Sequence, residues 1–355
     1  MRSTVLLAAT LSFAGAAVAF GQTPAPRQGP GVQAAQDARE PAVLAQCKQH
    51  HPAPPPNFGN FRPPAGGNGP AKYQVTAIPG VVAAGQKWKV VWRDKGNDAD
   101  GIIGTPDEGL LVAQNDNSDV VKLDKGGHPS IVYQDTDTGG ALSMNKQGEL
   151  FIDERGLNAA IWELAPQHKV IINSIEGDSL DCLGGVLNDL TASNNGIYFS
   201  QGGLYYAAPN GKVTQQGDKS LRTNGIILSP DEKTLYVTNA GTLVAFDVQS
   251  DGSLTNQHVL ATLPGGGGDG STVDADGRIY VSAAKGVVVI SPQGQVLGTI
   301  PVPHGVISLA FSGPDKKTLY AVATLRSSKP GVRGIASGEV ITMRMISQGY
   351  DGRAK

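Results

Sequence analysis

Asp100, Asn188, Asn224 and Asp269 share one position in the chain: each lies 9 to 11 residues upstream of a short apolar strand signal, as do Gly139 and Ser308. Gathered around a common axis, the six would present two carboxylates, two carboxamides and a hydroxyl, with Gly139 the one member lacking a side-chain oxygen. Oxygen-only donors with two formal negative charges suit a hard divalent cation. The mixture of carboxylate and amide suits Ca²⁺, at affinities on the order of 10⁻⁵ to 10⁻³ M, while Mg²⁺, with its tighter octahedron and retained waters, is the alternative. No His or Cys stands in the set, so its chemistry is not that of zinc. A cation held there would polarise a carbonyl, and a neighbouring carboxylate would take a proton from water. The Asp-Gly and Asn-Gly pairs at 100–101, 224–225 and 269–270 also fit turns or β-bulges, which keeps a purely structural reading open.

Something must bring these distant residues together. The strand signals are Leu110-Leu111-Val112, Leu150-Phe151-Ile152, Ile197-Tyr198-Phe199, Leu235-Tyr236-Val237, Ile279-Tyr280-Val281 and Leu319-Tyr320-Ala321, with starts 40, 47, 38, 44 and 40 residues apart. Each follows a hairpin turn such as Pro106-Asp107-Glu108-Gly109 or Asp274-Ala275-Asp276-Gly277. A period near 40 residues built from short strands is that of a β-propeller blade. The chain is therefore expected to be all-β, a six-bladed β-propeller over residues 80–345 with a tail at 346–355. The first strand of each blade would line the axis. The run Lys87–Trp92 is expected to complete the last blade and close the ring, with Trp88 and Trp92 as packing residues.

The rest of the chain narrows the function. With 355 residues, a net charge of −2 and no basic stripe, it lacks the footprint of a nucleic-acid binder. Residues 1–19 read as an export signal, with Arg2, an apolar run from Val5 to Ala19 and the small-x-small pattern Ala17-Val18-Ala19, so a secreted or periplasmic location is expected, with the mature chain starting at Phe20. No later segment is long and apolar enough to suggest a membrane anchor. Residues 20–79 form a Pro/Gly-rich arm or linker. In an oxidising compartment Cys47 and Cys182 either pair, fastening this arm to the body, or stay free. Cys47, His50 and His51 do not complete a tetrahedral metal site. A Gly-x-Ser-x-Gly elbow is missing, which argues against a serine hydrolase of the α/β kind. The glycines at 265–268 read as room for the approach to Asp269.

At Leu187-Asn188-Asp189-Leu190, Thr223-Asn224-Gly225-Ile226 with the following Leu228–Val237, Asp269-Gly270 with Val273–Gly277, and Gly298–Pro303, the chain resembles the senescence marker protein / gluconolactonase / luciferin-regenerating family of calcium-dependent six-bladed propellers. The resemblance spans about residues 80–345. It implies metal ligands at Asp100, Asn188, Asn224 and Asp269. It also implies a small lactone or ester as substrate, with Asp269 as the base and Asn188 orienting water. The family's first-blade Glu is Asp100 here, its last-blade Asn is Ser308, and its substrate-gripping Arg is Val186. Ser308, Glu154, Arg155 and His304 are candidate substrate contacts, although Glu154-Arg155 also reads as a surface ion pair and His304 as a loop histidine. Asp189 adjoins Asn188, and strand alternation sends it away from the axis. The rival function is a non-catalytic, calcium-stabilised propeller that binds a glycan or protein.

Overall fold

The computed structural model describes residues 37–50, 73–95, 99–326 and 335–355. The segment read as an export signal lies outside them, as do most of the proline-rich arm and His51. Six four-stranded antiparallel sheets follow one another along the chain as the blades of a propeller. Their innermost strands are Ala99–Gly104, Leu142–Met144, Asp189–Ser193, Thr223–Leu228, Ser271–Val273 and Gly305–Ser312. The repeated signals supply the second strand of every blade: Leu110–Gln114, Leu150–Glu154, Gly196–Ser200, Thr234–Asn239, Ile279–Ala283 and Thr318–Arg326. These strands are apolar on both faces because each lies mid-blade between two neighbouring sheets. Leu110–Gln114, Leu150–Glu154 and Ile279–Ala283 are buried along their whole length, whereas the outer strand Pro129–Gln134 is mostly exposed.

The ring closes as expected. Lys89–Lys95 joins the last sheet beside Ile335–Arg344, from Lys89 opposite Thr342 to Lys95 opposite Ser337. Pairing the start of the propeller with its end removes an open edge. Trp88 is buried and donates its indole N–H to the Pro301 carbonyl at 2.9 Å, and Trp92 packs between the first and last blades. Just upstream, Val75, Ile78, Val81 and Val82 pack into the core of the last two blades.

Two further segments fasten onto the ring. A short helix, Glu40–Leu44, leads to Cys47, which is disulfide-bonded to Cys182. The next three backbone amides, of Lys48, Gln49 and His50, donate to the Asp178 carboxylate at 2.8, 2.7 and 2.8 Å. These bonds, that of His50 foremost, hold the Asp178 carboxyl well below the usual carboxylate range. At the other end, residues 349–355 run into the axial channel. Gly349 bridges Asp274, Ala354 bridges Met144, and Arg353 donates to the carbonyls of Leu228 and Ser229. The Tyr350 carbonyl accepts from Lys316 at 3.3 Å, and the Lys355 ammonium pairs with Asp189. Blades two to six are thus tied by seven residues.

Among the described residues no helix is long and apolar enough to cross a membrane.

Candidate active site

The axial residues are placed by glycines. Gly101 donates to the Gly140 carbonyl of the next blade at 2.7 Å, and a Cβ at residue 101 would stand 2.4 Å from that oxygen. At Gly225 a Cβ would lie 2.1 Å from the Asp269 carbonyl, and at Gly270 it would lie 2.6 Å from that of Ile307. None of the three glycines has positive φ, so a turn does not require them. They are needed because adjacent blades touch backbone to backbone at the axis. The ladders shift register beside Asp100 and Asn224, so these pairs are also bulges. The pairs at 100–101 and 224–225 are thus bulges and not turns.

Asp100, Asn188, Asn224, Asp269 and Ser308 line one pocket at the axis. Gly139 is not among its walls. The Asn188 amide donates to the Asn224 side-chain oxygen at 2.5 Å. The Asn224 carbonyl accepts from Ser200 at 2.7 Å, and Ser282 donates to the carbonyls of Gly270 and Ile307 at 3.0 and 3.1 Å. Among the described residues no hydrogen bond or ion pair reaches the Asp269 carboxylate. Burial, then the charges of Asp100 and Asp189, push its pKa up to about 7.

Other placements differ from expectation. Arg155 is no surface group and does not reach out to pair with Glu154: only 5% of its side chain is exposed. It pairs with Asp100 and, at 3.3 Å, with Asp153, and it donates to the Asn188 carbonyl. Residues 153 and 155 are two apart at a strand end, so both turn to the same side. Asp153 also accepts from the Gly140 amide at 2.9 Å, and burial above all raises its pKa to about 6. Glu154 is buried, and neither it nor His304 lines the pocket. Asp189 lines it together with Asn188, against the alternation rule, because the pair sits where the strand is only beginning. Its carboxylate accepts from the amides of Leu190 and Ile226, both at 2.8 Å, and pairs with Lys355. Nothing local in the sequence marks Lys355, which forms one wall of the pocket.

With Asp100, Asp153, Asp189 and Asp269 all ionised, Arg155 and Lys355 leave two negative charges in excess, matching one divalent cation. The donors fit such an ion in type: Asp269 is unpartnered, Asp100 is only partly committed, and two amide side chains adjoin them. No three carboxylate, imidazole or thiolate groups among the described residues converge on one point, so the fit depends on the amides.

Residues 182–325 match the model of the SMP-30/Gluconolactonase/LRE-like region. The matched stretch holds Asn188, Asn224, Asp269 and Ser308, whereas Asp100, Arg155 and Lys355 fall outside it. Over 290 residues the chain is 24% identical to a gluconolactonase of Zymomonas mobilis, covering 69% of this chain and 78% of that one. Over 236 residues it is 27% identical to lactonase drp35 of Staphylococcus haemolyticus, covering 59% and 71%. Its fold is similar to that of a gluconolactonase structure from Xanthomonas campestris, with a TM-score of 0.63 at 20% identity over 78% of this chain and 96% of the other.

Proposed function

We propose that this protein is a lactone-hydrolysing enzyme acting on a small sugar lactone or related cyclic ester in the axial pocket. The observation that carries the reading is Asp269: a carboxylate facing the pocket with no ion-pair partner and a pKa of about 7, poised to exchange a proton near neutrality. Relatives named gluconolactonase and lactonase support it. Asp269 takes a proton from water as the water oxygen bonds to the lactone carbonyl carbon. The ring C–O bond then breaks, and the proton passes from Asp269 to the departing oxygen, giving a hydroxy acid. Asn188, held by its bond to Asn224, orients the water or the ring oxygen. Asp100, Asn188, Asn224 and Asp269 are the residues that would hold a divalent cation, Ca²⁺ by donor type. Such an ion supplies Lewis-acid polarisation of the carbonyl. Ser308, buried in the same pocket, contacts substrate.

We also place the protein outside the cytoplasm, secreted or periplasmic. The pattern of residues 1–19 and the Cys47–Cys182 disulfide support this.

The test is turnover of a lactone panel by the chain from Phe20 onward, with and without chelator, beside Asp269→Asn. Hydrolysis that requires Asp269 supports the reading. Absence of turnover on every lactone, with binding of a glycan or protein instead, would replace it with a non-catalytic role.

A further inference from the structure

Three of the six blades meet on one guanidinium. Arg155, at the end of the second blade's Leu150–Glu154 strand, donates to Asp100 of the first blade, to the Asn188 carbonyl beside the third, and to Asp153 of its own. The place is made for it. A Cβ at Gly140 would stand 1.8 Å from Arg155 Cζ, so any larger residue there would expel the guanidinium. The other cation in the pocket wall, Lys355, is paired with Asp189 and not with a member of the donor set.

Asp100 is thereby claimed twice. It is one of only two carboxylates in the donor set described above, on which this inference rests, and its Oδ2 is already bonded to a buried cation. A divalent ion coordinated by that carboxylate would stand within a few ångströms of the guanidinium. In so buried a place, like charges that close repel strongly. We propose that Arg155 is a resident counter-ion of the axial ring that competes with a divalent cation for Asp100, so that cation binding and the Arg155–Asp100 ion pair are alternative states of one site. Arg155 keeps Asp153 and the Asn188 carbonyl when Asp100 is released, which makes the exchange a local movement.

The test is calorimetric Ca²⁺ titration of the full chain and of Arg155→Gln, Asp100→Asn and the double variant. Gln retains an amide for Asp153 and the Asn188 carbonyl. Removing the competitor should tighten Ca²⁺ binding by roughly tenfold or more. Asp100→Asn should weaken binding by less than about threefold with Arg155 present and by about tenfold in the Arg155→Gln background, a coupling that independent sites would not show. Equal costs of Asp100→Asn in both backgrounds, or unchanged or weaker binding by Arg155→Gln, would overturn the proposal while leaving the ring as a cation site. Absence of Ca²⁺ binding in every protein would overturn both.

Should Arg155→Gln not fold, the unmodified chain decides. The guanidinium signals of the buried Arg155, followed by ¹⁵N NMR, should shift or broaden as Ca²⁺ saturates, and a signal unmoved at saturation would overturn the proposal. Arg155→Lys, which keeps the charge but cannot fork across three partners, should restore only part of the competition.

Discussion

The Lys355 ammonium is paired with the Asp189 carboxylate inside the axial channel, across 166 residues of sequence, and both side chains are almost wholly buried. Asp189 also accepts from Ile226, so the pair joins the third and fourth blades beside Asn188 and Asn224. Lys355→Met leaves a buried carboxylate unpaired and should cost about 3–5 kcal/mol of stability. Adding Asp189→Asn should recover a large part of that loss. Denaturant unfolding of the two single variants and the double variant checks this, and additive losses would show that the pair is not coupled.

Asp269→Asn removes the proposed base together with an uncompensated charge. Lactone kcat should fall by about 10²- to 10⁴-fold. The melting temperature should stay level or rise, since no partner is orphaned. A large fall in both would mean that Asp269 is structural.

The axial glycines predict where side chains are forbidden. Gly225→Ala sets a methyl against the Asp269 carbonyl, backbone that cannot yield without parting the fourth and fifth blades. The expected cost is about 2 kcal/mol or more, with loss of activity through a displaced Asp269. Gly211→Ala, where nothing lies within 4 Å of the added atom but φ is +82°, should show backbone strain alone and leave activity intact.

Asp119 supplies a pH dependence. Its Oδ1 is buried without a partner, and burial, then the Asp94 charge, raises its pKa to about 6. A carboxyl whose folded pKa lies above its unfolded value favours the folded state fully at low pH. That contribution is lost as pH rises from about 4 through about 6. Asp119→Asn should therefore gain about 1–2 kcal/mol relative to the parent at pH 8 and little at pH 4. Unfolding curves at the two pH values measure the difference, and an equal effect at both would contradict it.

Cys47→Ser leaves the short helix held by the three amides on Asp178 alone, and opens a closure of 135 residues. A fall of about 2–5 kcal/mol is expected, with a matching fall when the native chain is reduced. Reduction that leaves the melting temperature unchanged would show that the Asp178 clamp alone secures the arm.

The blades were legible in sequence because propellers repeat the same hydrophobic alternation, and a constant offset from that repeat was enough to find Asp100, Asn188, Asn224, Asp269 and Ser308. The offset works where the inner strand enters the axis at a common depth, which holds for five blades and not for Gly139 of the second. The charges between the blades were not legible. Asp153-x-Arg155 looks like any polar strand end until Asp100 and Asn188 arrive from other blades. Asp189 escaped an alternation rule that applies within a ladder and not at its first residue. His304 was drawn in by its nearness to Ser308 along the chain, which does not translate into a place in the pocket.

The segment 349–355 behaves like a keystone. An ordinary ring of blades can loosen one sheet at a time, but here Asp274, Met144, Leu228, Lys316 and Asp189 all answer to the same short peptide. Its departure should change the manner of melting as well as the midpoint, from a single cooperative transition to a broad, sequential one in which slow-exchanging amides survive blade by blade.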